Sequence, residues 1–370
     1  MNKDLLENSS AAGMPTLKIG KYTPAYPVIQ GGMGVRVSAS KLAGAVAKAG
    51  GVGTIASVAL GMCSDHYTGK NYFEANKLAL ADELAWARKT APNGILAVNC
   101  MVALTDYEAM CRTSAESGAQ IIISGAGLPM SLPGYTKDFP DVALVPIVSS
   151  TKAARLIIKK WEKSFQRIPD AFVVEAPSTA GGHLGARPGD VFNPEFFLEK
   201  VVPELVDFLA NEAKLDIPVI AAGGIWGRAE MLAAFSMGAR GVQMGTRFVC
   251  TEECDASIEF KKMYIAATPE DIVLIKSPVG LPGRAIRNSF SEQVLTAPPA
   301  GHRCVANCLK DCAFKLDRKT AFCINIALEA AHRGKVDDGL VFCGTNASRS
   351  TEITTVQAIF DELFPKAASN

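Results

Sequence analysis

The sequence predicts an α/β protein, a (β/α)8 TIM barrel with a C-terminal Cys-rich helical appendage. Three observations lead there: eight short runs rich in Val, Ile and Ala, their continuous rather than alternating hydrophobicity, and segments of helical period between most of them. Strands buried on both faces read this way, and strand–helix repeated eight times argues for a closed barrel over an open doubly wound sheet.

The runs, in order, are PVIQ near 27, VGTIAS near 52, GILAVN near 94, QIIIS near 120, ALVPIV near 143, AFVVE near 171, PVIAA near 218 and GVQMG near 241. Helical segments lie at Ser38 to Gly50, Tyr72 to Lys89, Tyr107 to Gly118 and Arg228 to Gly238, several following a Ser, Thr or Asn and stopping at Gly. Near residue 277 the composition shifts. SPVGLPGRAIRN and TAPPAGHR are rich in Pro, Gly and Arg, a Cys-rich segment runs from Cys304 to Cys323, and two helical stretches follow, TAFCINIALEAAHRG and TVQAIFDELF. The expected organisation is an N-terminal extension over 1–23, a barrel over 24–276 and an appendage over 277–370 packed on the barrel.

The chain has 370 residues, 48% hydrophobic and 20% charged, with net charge +1, so it can build a large core and has no electrostatic bias toward nucleic acid or anionic membrane. No apolar run matches a signal peptide or a membrane helix, and the expectation is a cytoplasmic protein. The expected partners are a small-molecule substrate and, at most, a second copy of the chain as a homodimer. Ten cysteines in a reducing compartment read as thiols or metal ligands, not as a disulfide framework.

In a barrel the ligand site lies at the C-terminal ends of the strands. Here those ends are glycine-rich: Gly31-Gly32-Met33-Gly34, Ser124-Gly125-Ala126-Gly127, the stretch VVEAPSTAGGHLG from Val173, Ala222-Gly223-Gly224-Ile225 and Met244-Gly245-Thr246. Glycine lets backbone amides approach a ligand, and a helix beginning after Gly227 adds its N-terminal dipole. Loops after the last two strands are where barrels commonly hold a phosphate.

Taken in order, PVIQGGMG, AGGVGTIAS, AVNCMV, ISGAGLP, AGGHLG, PVIAAGGI and GVQMGTRFV resemble the motifs of the nitronate monooxygenase (2-nitropropane dioxygenase) family and its relative, the FMN-dependent enoyl-acyl carrier protein reductase. The resemblance runs from about residue 24 to 255. It implies an FMN-binding barrel and an oxidoreductase that oxidises alkyl nitronates with O2 or, alternatively, reduces activated double bonds with NAD(P)H or an iron–sulfur cluster feeding FMN. It places Gly31, Gly32 and Met33 by the isoalloxazine ring with Asn99 near it, and Gly125 and Ala126 at the substrate or ring edge. Glu175 falls beneath the flavin or ribityl chain, Gly182 and His183 by the reactive face, Ala222, Gly223 and Gly224 at the phosphate, and Met244, Gly245 and Thr246 on its other side. Two departures stand out: Thr179-Ala180 where the family usually writes Glu-Ala before Gly-Gly-His, and Gly-Gly-Met after the first strand, as in the reductases, where many nitronate enzymes have Ala-Pro-Met.

His183 is the candidate catalytic residue. Its ordinary pKa of about 6.5 suits proton transfer near neutrality, and two preceding glycines open access to its ring. For His66, His302 and His332 a structural role is expected, His332 as a cation at a helix C-terminus. Cys304, Cys308, Cys312 and Cys323 form C-x3-C-x3-C-x10-C, which fits a [4Fe-4S] cluster or structural zinc, or else a buried thiol stripe, since the first three share a face at helical spacing. Cys343, in LVFCGTN, is expected to be packed.

Overall fold

The structure, a computed structural model, describes residues 14–296, 304, 306–316 and 322–365. Its strands are β1 (Val28–Gln30), β2 (Val52–Ala56), β3 (Ile95–Met101), β4 (Ile121–Gly125), β5 (Ala143–Val148), β6 (Phe172–Glu175), β7 (Gly182–His183), β8 (Val219–Ala222), β9 (Gly241–Met244), β10 (Ile272–Lys276) and β11 (Pro282–Ile286). All of these except β7, β10 and β11 pair in parallel and close into a barrel in the order β1-β2-β3-β4-β5-β6-β8-β9, so each of the eight runs read from sequence is a barrel strand.

Alternation along these strands divides the core in two. Ile29, Val52, Ala97, Ile123, Val145, Val173 and Ile220 fill the barrel interior, and their neighbours face the surrounding helices. Leu17 and Ile19, from the N-terminal stretch, belong to the same interior cluster. Continuous apolar strands are therefore required: one residue in two fills the lumen and the other seats a helix.

The helices deviate from their expected caps in an informative way. The helix Ser40–Lys48 has no side-chain cap of its own. Its leading amides at Ala39, Lys41 and Leu42 donate instead to the Asp255 carboxylate at 2.9, 3.3 and 3.2 Å. The helix expected from Thr320 starts at Ile324, with Cys323 at its N-cap. The last helix, Val356–Leu363, is capped by Thr355, whose hydroxyl accepts from the Ala358 amide at 3.1 Å.

The two strands β10 and β11 form an antiparallel hairpin, and β11 also pairs antiparallel with β7, matching Gly283 to His183 and Arg284 to Gly182. Residue 277 opens the turn of this hairpin, so the compositional shift falls inside one structural unit. Beyond it, Leu309 bridges to Leu104 and Thr354 to Thr251, which fastens the C-terminal segments to the barrel, and Phe342 bridges to Ala285 of β11. Among the described residues no helix is long and apolar enough to cross a membrane.

Candidate active site

One cavity opens at the C-terminal ends of the strands, and every residue the sequence marked for cofactor or catalysis lines it: Gly31, Gly32 and Met33 after β1, Asn99 on β3, Gly125 and Ala126 at β4, Glu175 at β6, Gly182 and His183 on β7, Ala222, Gly223 and Gly224 at β8, and Met244, Gly245 and Thr246 at β9. The alternation that sends Val173 into the lumen also sends Glu175 there, two residues on, at the cavity floor.

The glycines are there for contact and for conformation. A Cβ on Gly32 would lie 2.4 Å from that of Asn99, so only glycine lets Asn99 occupy its place. Gly223 and Gly224 have φ of +95° and +74°, open to glycine and strained for other residues. The turn they form is held by the Asn346 amide, which donates to the Gly224 carbonyl at 2.8 Å; after β9, the Gly344 N–H donates to Thr246 Oγ1 at 2.9 Å.

His183 Nε2 stands 2.7 Å from Ser277 Oγ in the turn between β10 and β11, and its ring meets Phe342 edge-on at 5.0 Å. Burial without a countercharge pulls the imidazole down to about 4, so it is neutral at pH 7. Burial pushes Glu175 up to about 7, and its carboxyl has no hydrogen-bond or ionic partner among the described residues. These are two titratable groups in one cavity, one uncharged and one poised near neutrality.

Residues not singled out from sequence complete the site. Arg284 is buried, with no carboxylate beside it; its guanidinium donates to the carbonyls of Ser178 (2.9 Å), Pro177 (3.4 Å) and, closely, Ala180. The loop that carries the Thr179-Ala180 departure from the family pattern is thus the segment Arg284 ties down. Gln243 lies on the floor with its Oε1 buried and unpartnered. Its only sequence signal was a polar residue inside an apolar run. Gly344-Thr345-Asn346 follow the apolar run LVFC as the other glycine-rich turns follow their strands, and that likeness could have marked them.

Several expectations change. The helix Arg228–Ser236 does not aim a free N-terminus at the cavity: the Glu230 carboxylate caps it at the Gly227 amide (3.0 Å) and pairs with Arg349 (2.6 Å). His332 is not a cation at a helix end, because burial first, and then Arg36 and Arg333, lower it to about 4. His66 pairs with Asp82 at 2.7 Å and does not line the cavity; His302 lies outside the described residues. Cys343 is buried and also lines the cavity.

The cysteine run is not a buried thiol stripe along one helix. Only Cys308 of the four is buried, and Cys304, Cys308 and Cys312 share no helix. Burial pushes the Cys308 thiol up to about 12, helped by Cys323, Cys304 and Cys312, so the four lie near one another. Yet among the described residues no three His, Cys, Asp or Glu side chains are grouped to hold a metal ion. The Cys308 carbonyl accepts from Thr105 N–H at 2.9 Å, and Cys323 stands at the N-cap of the helix Ile324–His332.

A model of the family described as nitronate monooxygenase matches residues 16–366. The chain belongs to the nitronate monooxygenase family. It is 28% identical to a probable nitronate monooxygenase of Staphylococcus saprophyticus, over 75% of this chain and 80% of that protein. It is also 27% identical to a (3aS,4S,5R,7aS)-5-hydroxy-7a-methyl-1-oxo-octahydro-1H-indene-4-carboxyl-CoA dehydrogenase of Mycobacterium tuberculosis, over 73% of this chain and 65% of that protein. Among solved structures, FabK from Thermotoga maritima superposes with a TM-score of 0.68 at 23% identity, covering 98% of this chain and 94% of that one. As a member of the nitronate monooxygenase family, the protein is a flavin-dependent oxidoreductase acting on a small molecule.

Proposed function

We propose that the protein binds FMN in this cavity and oxidises alkyl nitronates with O2. The observation that carries the proposal is His183: a neutral imidazole, reached past Gly181 and Gly182, in a glycine-lined cavity that also holds an unpartnered carboxyl and an unpartnered amide oxygen. That donor set suits a flavin. Gly223, Gly224 and Gly245 offer backbone amides for its phosphate, and Asn99, Gln243 and Glu175 offer hydrogen-bonding groups on the floor for its ring or ribityl chain. FMN would supply the capacity to accept electrons from the nitronate and return them to oxygen.

The chain's own contribution is proton handling and orientation. A neutral nitroalkane beside neutral His183 can give the imidazole the proton from the carbon next to its nitro group, leaving an anionic nitronate and an imidazolium held as an ion pair; a nitronate supplied as such needs no proton removed, and His183 then orients it. Arg284, acting on the loop from behind, holds Gly181 and Gly182 where they leave His183 accessible.

Oxygen uptake by FMN-loaded protein with propyl-2-nitronate and with neutral 2-nitropropane tests the reading. Uptake with the neutral nitroalkane that collapses in His183→Gln, while FMN stays bound and the nitronate is still oxidised at a reduced rate, is the expected result; silence toward primary and secondary nitronates under air overturns it. A second reading is reduction of an activated double bond such as an enoyl thioester, with NAD(P)H as donor. Gly31-Gly32-Met33 after β1 favours it, as does likeness to a relative named for a CoA-thioester substrate. NADH oxidation that depends on an enoyl thioester identifies that case.

A further inference from the structure

The cavity has a second character. Val279, Leu309, Ile324, Leu328, Leu340 and Phe342 line it with hydrocarbon, and all six come from beyond residue 276. Phe342 touches His183, and Val279 lies two residues from the Ser277 hydroxyl that bonds it. This wall is fixed. Lys310 N–H donates to the Ala103 carbonyl (2.9 Å), Leu340 N–H donates to the Ala327 carbonyl (2.9 Å), and Tyr264 OH donates to the Phe342 carbonyl (2.6 Å).

No Lys or Arg lines the cavity among the described residues, and Glu175 is its only carboxyl. A charged tail on the substrate would find no countercharge there, and a polar tail would lose hydrogen bonds to water that hydrocarbon does not replace. An alkyl chain gains about 0.8 kcal/mol for each CH2 it buries, a factor of about four in affinity.

We propose that the C-terminal segments form a chamber for an unbranched alkyl chain, and that Leu309 and Ile324 set the longest chain the enzyme accepts. The proposal deepens the nitronate reading, on which it rests only for the identity of the reacting head group. The Cys-rich region then has a role in specificity: Leu309 and Ile324 directly follow Cys308 and Cys323, and the turns around those cysteines present them to the substrate.

Two series on the FMN-loaded full chain test it. In one, kcat/KM is measured with the nitronates of nitroethane through 1-nitrodecane. In the other, 1-alkanols from butanol to decanol are titrated and binding is read from the flavin absorbance, which needs no turnover. Both are expected to strengthen about fourfold per CH2 and then break off, with the break moved to shorter chains in Leu309→Trp. Ile324→Phe serves as the second variant should the first fail to retain FMN. Nitronate turnover that is flat in chain length, with flat alkanol binding, overturns the chamber and leaves the proposed reaction standing. Graded alkanol binding with no nitronate turnover supports the chamber and removes the reaction. A break that neither variant moves overturns the assignment to Leu309 and Ile324.

Discussion

Replacing Arg284 by Met should loosen the catalytic loop more than it unfolds the protein. Arg284 is 3% exposed, and its guanidinium donates to the carbonyls of Ser178 and Ala180, with longer contacts to Pro177. Hydrogen bonds from a charged donor are worth about 1.5 to 3 kcal/mol each, so two of them amount to roughly 3 to 6 kcal/mol. Burying an unpaired cation costs several kcal/mol, which the Met variant recovers, leaving a net loss on the order of 2 kcal/mol. That loss falls on residues 177–180, of which Thr179 and Ala180 line the cavity. Bound FMN must then order the loop itself, and an affinity loss of ten- to thirtyfold corresponds to about 1.4 to 2 kcal/mol. Titrating apoprotein into free FMN and following the quenching of flavin fluorescence measures this directly, with urea unfolding in parallel. Arg284→Lys keeps the charge but not the fork, and should fall between wild type and Met. If Arg284→Met binds FMN within a factor of two of wild type and unfolds at the same urea concentration, the loop is held by something else.

The remaining predictions concern charge, capping and backbone. Glu175 moves from an ordinary 4.5 to about 7 on folding, so its contribution to stability is present below pH 4.5 and lost as pH rises to 7, a span of about 3 kcal/mol. His183 moves the other way, from 6.5 to about 4, so its contribution is present above pH 6.5 and lost as pH falls to 4. Urea unfolding of Glu175→Gln should therefore gain stability with pH between 4 and 6.5 more steeply than wild type; an unchanged slope would place Glu175 in water. Asp255→Ala removes three amide partners from the helix Ser40–Lys48 and should lower stability by about 1 to 3 kcal/mol, read as a drop in Tm by calorimetry. Gly224→Ala forces a side chain into φ +74° with its Cβ 3.0 Å from that of Thr179, and should weaken FMN binding at least tenfold by equilibrium dialysis.

Much of this architecture was legible because it is local. Each barrel strand announces itself by a run such as QIIIS or PVIAA, and a barrel fixes where the ends of those runs must meet, so Gly31, Asn99, Glu175 and Gly223 could be gathered into one site without any long-range information. What escaped is non-local. Arg284 acts on a loop some hundred residues earlier, Asn346 clamps the turn at Gly224, and Asp255 caps a helix more than two hundred residues away. A polar side chain at such a position looks, in sequence, like any surface residue, because what gives it meaning is the backbone group it reaches.

The cysteine run shows the same limit. Four soft ligands within twenty residues suggest a metal when spacing is all that can be weighed, but spacing says nothing of which neighbours the backbone engages. Here Thr105 and Ala103 draw the chain around Cys308 flat against the end of β3, and the helix Ile324–His332 claims Cys323, so the residue that follows each cysteine is turned into the cavity. The ends of the barrel strands, with β7, supply the glycines, amides and His183 on which the proposed chemistry rests. The segments after residue 276 supply the hydrocarbon. A chain that changed only Leu309, Ile324 and their hydrocarbon neighbours, and kept Ser277, Arg284 and Asn346, would keep its chemistry and change its substrate, and so that wall is where the specificity of this one should be sought.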